Sequence, residues 1–119
     1  MIHHIVLFRL KPGITWDSPE ARAAEELQER MGEEIEELRA WTCGRNVSDR
    51  PAAYDYAVLG LLDDEDALAL YLAHPFHRRA AEAWTALSDR VLADIPARPT
   101  PSTTPLPHHP EGDPRVRTR

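Results

Sequence analysis

Ile2-His3-His4-Ile5-Val6-Leu7-Phe8-Arg9-Leu10 carries apolar side chains on both of its alternating faces. Ile2, His4, Val6, Phe8 and Leu10 fall on one side; His3, Ile5, Leu7 and Arg9 fall on the other. Successive side chains of a strand point to opposite faces of the sheet, so this strand needs cover on both sides. A strand with one wet face would alternate apolar with polar residues instead. Lys11-Pro12-Gly13 ends the strand with turn chemistry.

Outward from that strand, Ser18-Pro19-Glu20 reads as a helix start, with serine at the cap, proline at the first position and an acid in the first turn. Ala24, Leu27, Met31, Ile35 and Leu38 recur every three or four residues and form one apolar stripe. The glutamates of this helix lie mostly off the stripe and read as a solvated face. Trp41 to Val47 reads as a second strand and Tyr54 to Leu62 as a third, with Ser48-Asp49-Arg50-Pro51 as turn material between them. Asp63-Asp64-Glu65-Asp66 opens a short helix with acids at its positive end. A further helix begins at Pro75 and shows Phe76, Ala80, Trp84, Leu87 and Val91 at helical spacing. It is expected to end near Ser88-Asp89, before a short final strand at Val91–Ile95.

The predicted order is strand, helix, strand, strand, broken helix, strand. This is the α+β, ferredoxin-like split β-α-β arrangement, a four-stranded antiparallel sheet with helices on one face. Such a unit has no second layer for its other apolar face. A second copy of the chain packed sheet to sheet supplies that layer, so a homodimeric α/β barrel is expected.

The 119 residues suffice for one domain, expected at residues 1–96. Residues 97–119 are rich in proline, lack apolar periodicity and are expected to form a disordered tail. The net charge is −6, and acids outnumber bases 18 to 10 up to Pro96. An acidic domain is a poor match for phosphate backbones, so no nucleic-acid partner is expected. No apolar run reaches the roughly 20 residues of a membrane span. The single Cys43 permits no internal disulfide, and the chain shows no secretion signal, so a cytoplasmic setting is expected.

The chemistry-bearing stretch is Tyr71-Leu72-Ala73-His74-Pro75-Phe76-His77. Proline has no N–H and a fixed φ, which suits the first turn of a helix. His74 then caps that helix and His77 lies in its first turn. The positive helix end disfavours a second proton on His77, leaving a neutral imidazole. Tyr71 is placed to polarise a carbonyl while His77 moves a proton. The same residues also serve a ligand site without chemistry, or a structural corner between two helices. Three imidazoles from His74, His77 and His3 or His4 would make a metal site, but no acid or cysteine stands at metal-ligand spacing around them, and none is expected. A phosphate-cradling glycine loop is missing as well, so no cofactor is expected.

Met1 to Lys11, Gly44-Arg45-Asn46-Val47, Tyr54-Asp55-Tyr56-Ala57 and Tyr71 to His77, in this order, resemble the stress-responsive A/B barrel family of dimeric α/β-barrel proteins. The resemblance covers about residues 1–96. It implies the ferredoxin-like unit, dimerisation through the sheets and a pocket in each subunit. A plant branch of the family includes polyketide cyclases that close an aromatic ring with an acid/base pair and no cofactor. Their motif Tyr-x-x-His-Pro-x-His matches at Tyr71, His74 and His77, and their first-strand histidine matches at His4. A further pocket histidine of the cyclases falls at Tyr56, which changes the polarity and reach of the wall. The resemblance thus implies a pocket lined by His4, Tyr56, Tyr71, His74 and His77 for a small hydrophobic or aromatic molecule. A cyclase-like or isomerase-like enzyme using Tyr71 and His77 is the alternative, and a structural stress protein without ligand is a third.

Overall fold

The computed structural model describes residues 1–98. Its elements are β1 (Ile2–Leu10), α1 (Pro19–Glu34), β2 (Ala40–Arg45), β3 (Tyr56–Leu62), α2 (Glu65–Ala73), α3 (Pro75–Leu87) and β4 (Ser88–Pro96). The four strands form one antiparallel sheet in the order β2-β3-β1-β4, the split β-α-β arrangement read from the sequence. Of the tail expected at residues 97–119, residues 99–119 lie outside the described part of the chain. Among the described residues, no helix is long and apolar enough to cross a membrane.

Local chemistry explains most boundaries. Pro19 starts α1, but Ser18 gives no side-chain bond to its first turn. The Ser18 hydroxyl instead accepts the Thr15 N–H at 3.1 Å, tightening the loop before the helix. The α1 stripe outlasts the helix, because Ile35 and Leu38 remain buried after the chain turns extended at Ile35. Asp64 caps α2 by accepting the Ala67 N–H at 2.8 Å. Three strands differ from expectation. β2 spans Ala40–Arg45 rather than Trp41–Val47. β3 begins at Tyr56 rather than Tyr54, because the Asp55 carboxylate accepts the Leu10 N–H and Tyr54 turns out to stack under Arg9. β4 runs from Ser88 rather than Val91. Register pairs from Ile2↔Pro96 to Leu10↔Ser88 extend it through Ser88-Asp89-Arg90, residues with little strand preference of their own.

The helices cover the face carrying His4, Val6 and Phe8, all buried, with Tyr56, Val58 and Leu62 beside them on β3. One core cluster joins Met31, Ile35, Leu62, Tyr71 and Ala80; the other joins Phe8, Ala24, Tyr56, Trp84 and Leu87. Trp41 lies against both clusters and is wedged between two glycines. A Cβ on Gly60 would meet the Trp41 ring at 3.1 Å, and one on Gly32 would meet the Trp41 Cβ at 2.9 Å. The Trp41 indole N–H donates to the Gln28 carbonyl at 2.8 Å, fixing the ring against α1.

A glycine inside a helix is about 0.5–1 kcal/mol less favourable than alanine. At Gly32 the contact with Trp41 reverses that sign, since the opposing atom lies next to backbone and cannot swing away. Gly32→Ala is therefore expected to lower the urea midpoint; a raised midpoint would show that α1 and β2 separate freely.

Candidate functional site

The break between α2 and α3 assembles the first half of the site. Pro75 disfavours a helical conformation at the residue before it, and His74 is extended, with φ −63° and ψ 135°. Its N–H closes α2 on the Tyr71 carbonyl at 3.1 Å, and its Nδ1 accepts the Phe76 N–H at 3.0 Å to cap α3. Tyr71 thus sits in the last turn of α2 and His77 in the first turn of α3. Their ring centres are 4.5 Å apart. The His77 Nδ1–H donates to the Leu72 carbonyl at 3.1 Å. A carbonyl only accepts, so His77 keeps its Nε2 lone pair free.

The second half comes from the sheet. His4 on β1 lies beside Asp94 on β4 in register, and His4 Nδ1 stands 2.7 Å from Asp94 Oδ1. A carboxylate likewise only accepts, so neutral His4 also carries its proton on Nδ1 and presents a bare Nε2. The His4 ring meets Tyr71 edge-on with centres 5.1 Å apart. Both rings are almost fully buried.

His4, Tyr71 and His77 line one cavity of about 110 Å³. Its inner end is walled by Phe8, Met31, Val58 and Trp84, all buried, with the buried side chain of Gln28. Its outer end is formed by Leu72, Arg90 and Leu92, all exposed. Burial lowers the pKa of His77, and the neighbouring His4, Arg90 and His74 oppose a second proton further. The Leu72 hydrogen bond pulls the other way. Its neutral state, expected from the helix terminus, therefore arises first from burial. Burial, then the charge of Asp94, raise the pKa of Tyr71, so its hydroxyl remains a donor at neutral pH.

Tyr56 and His74, expected in the same lining, stand outside this cavity. His74 spends its Nδ1 on the helix cap. Tyr56 packs into the core, with ring centres 5.1 Å from Trp84 and 5.7 Å from Trp16. Burial, then the Cys43 thiol beside it, push its pKa up. Gln28, Arg90 and Asp94 were not singled out in the sequence. The period-two spacing of Arg90, Leu92 and Asp94 puts them on one strand face, but only the β1–β4 register shows that this face meets His4. Among the described residues no cluster of three or more metal-ligating side chains occurs.

Comparisons with known proteins agree with this architecture. The family model of the stress responsive A/B barrel domain matches residues 2–97. An uncharacterized protein of Streptomyces coelicolor is 45% identical over 94 residues, covering 79% of this chain and 97% of that one. The crystal structure of a dimeric ferredoxin-like protein of unknown function from Thermobifida fusca is similar at 30% identity, with a TM-score of 0.70 over 79% of this chain and 88% of that one. A hydroxynitrile lyase from Passiflora edulis shares the fold at 16% identity, with a TM-score of 0.68 over 84% and 96% of the two chains.

The depressed His77 pKa links protonation to stability. The unfolded imidazole takes up its proton as pH falls through about 6.5, before the folded one does. Its contribution is complete above that pH and is lost as pH falls toward the lower folded value. His77→Gln is therefore expected to lose less of its melting temperature than wild type between pH 7.5 and pH 5. Equal losses would mean that His77 titrates normally.

Proposed function

With the chain belonging to the stress responsive A/B barrel domain family, we propose that it binds a small hydrophobic or aromatic molecule in the cavity of His4, Tyr71 and His77. One observation carries this reading: a hydroxyl donor and two imidazoles, each held at Nδ1 by a separate partner, line one cavity whose other walls are mostly apolar. Small-molecule sites have this make-up, apolar walls with a few placed polar groups. A cavity of about 110 Å³ suits a ligand no larger than one ring or a short acyl chain. By comparison, an engineered apolar cavity of about 150 Å³ takes up benzene.

The working unit we propose is a homodimer formed through the open sheet face. Across β3, β1 and β4 the register sets Ile5 between Leu59 and Ala93, and Leu7 between Ala57 and Val91. Leu7, Leu59, Val91 and Ile95 are between 37% and 49% exposed in the single chain, too much apolar surface to leave in water. The related Thermobifida fusca protein is described as dimeric. The folded domain of this reading spans residues 1–96, with 97–119 appended to it.

A second reading, a cofactor-free enzyme, draws on the His4–Asp94 bond, an arrangement that holds an imidazole in one tautomer. Here His77 Nε2 takes a proton from carbon next to a carbonyl. The C–H electron pair becomes the enolate double bond, and the carbonyl π pair moves onto oxygen, where the Tyr71 hydroxyl donates to it. Return of the proton to another atom completes an isomerisation.

Neutral single-ring aromatic compounds are expected to raise the melting temperature of wild type, by the equivalent of about 2.7 kcal/mol at a hundredfold excess over Kd. Tyr71→Phe and His77→Ala should shrink that shift. No shift across a broad set of compounds would leave the structural reading in place. Light scattering at micromolar concentration should give the mass of a dimer, and Leu59→Glu should give a monomer. A monomeric wild type would contradict the sheet interface.

A further inference from the structure

A second, larger cleft of about 660 Å³ lies between the end of β4 and the start of α2. Met1, Leu68 and Leu72 supply apolar lining, and Met1 and Leu72 are 55% and 42% exposed. Asp63, Asp64, Glu65 and Asp94 supply charge, and among the described residues no basic side chain lines the cleft. Asp63 is spent, since both of its oxygens accept from the Arg39 guanidinium, at 3.0 and 2.7 Å. Asp64 gives one oxygen to the Ala67 N–H and Asp94 gives one to His4. Glu65 has no hydrogen-bond or ion-pair partner among the described residues. Three carboxylate charges thus stand unbalanced beside apolar side chains that are unfavourable in water.

We propose that this cleft is the docking site for the chain's own segment Arg115-Val116-Arg117-Thr118-Arg119. The tether starts at the cleft itself, because Pro96 lines it and Arg98 is the last described residue. Residues 99–114 connect Arg98 to Arg115, and a linker of that length reaches roughly 20 Å or more. Tethering at that length gives an effective concentration on the order of mM. The charges match, with three arginines for the carboxylates of Asp64, Glu65 and Asp94. A guanidinium is suited to paired bonds with a carboxylate. Arginines at alternate positions share one side of an extended segment and leave Val116 for the apolar lining. The acidic face of α1 is the rival surface. There Glu25 and Glu34 already pair with Arg45 and Arg30, and the exposed positions carry no large apolar side chain to seat Val116. Docked in the cleft, the segment covers Leu72 and Asp94. Leu72 also lines the outer end of the ligand cavity, and Asp94 holds His4. Docking is independent of any ligand in that cavity.

Amide ¹H–¹⁵N spectra of the full-length protein test the docking. Wild type is compared with the full-length triple variant Arg115→Glu/Arg117→Glu/Arg119→Glu, which leaves every described residue unchanged. Resonances of Glu65, Leu68, Ala69 and Asp94 are expected to differ between the two, while those of the α1 glutamates coincide. Raising salt to about 0.5 M should move the wild-type cleft resonances to the variant positions, because it screens exposed ion pairs. Reciprocally, Glu65→Lys should move the resonances of Val116 and Arg117. Identical cleft resonances in wild type and variant would overturn the docking. So would differences confined to α1, differences that ignore salt, or Val116 and Arg117 resonances that ignore Glu65→Lys. A mixture of ¹⁵N-labelled triple variant with unlabelled wild type identifies the occupant. The labelled cleft resonances should stay at the variant positions, and their return toward wild type would assign the cleft to another copy's segment and overturn docking within one chain.

Discussion

The site depends on one missing N–H. Pro75 cannot continue α2, so the chain breaks at His74 and restarts within a single residue. An uninterrupted helix would turn about 100° and rise about 1.5 Å per residue, leaving residues 71 and 77 about 120° apart around the axis and about 9 Å apart along it. The break folds them back together, with ring centres 4.5 Å apart. It also frees the Leu72 carbonyl from helical bonding, and that carbonyl fixes the tautomer of His77. His74 makes the break tolerable by closing one helix and capping the next.

On its open face the sheet keeps apolar side chains where water would favour polar ones. Surfaces that bind commonly keep groups that weaken the isolated fold. Leu7, Leu59, Val91 and Ile95 are unfavourable for one chain in water and favourable for two chains together.

The element order was legible in the sequence because each element carries its own period and its own punctuation. The two-faced Ile2–Leu10 run, the α1 stripe and the Asp63–Asp66 and His74–Pro75 starts all lie where the fold uses them. Strand ends were less legible, since partners set them: β4 reaches back to Ser88 because β1 offers Leu10 as a neighbour. Within the site, Tyr71, His74 and His77 are a local motif, and their mutual placement follows from proline chemistry. His4 joins them through the register of β1. Asp94, Arg90 and Gln28 could not be found by spacing, because they meet the site only through register or helix packing. Tyr56 shares the buried sheet face with His4, yet its ring is drawn into the stack of Trp84 and Trp16, away from the cavity. A face assignment does not fix which part of the core a side chain enters.

Two imidazoles line one cavity with their Nδ1 atoms held by Asp94 and by the Leu72 carbonyl. Long-range ¹H–¹⁵N spectra of the histidine rings at neutral pH measure this directly. His4 and His77 should both be protonated at Nδ1, His74 should be protonated at Nε2, and a small aromatic compound should move the Nε2 resonances of His4 and His77 while leaving His74 in place. An Nε2-protonated His77, or ring resonances of His4 and His77 that ignore every small aromatic compound, would contradict it.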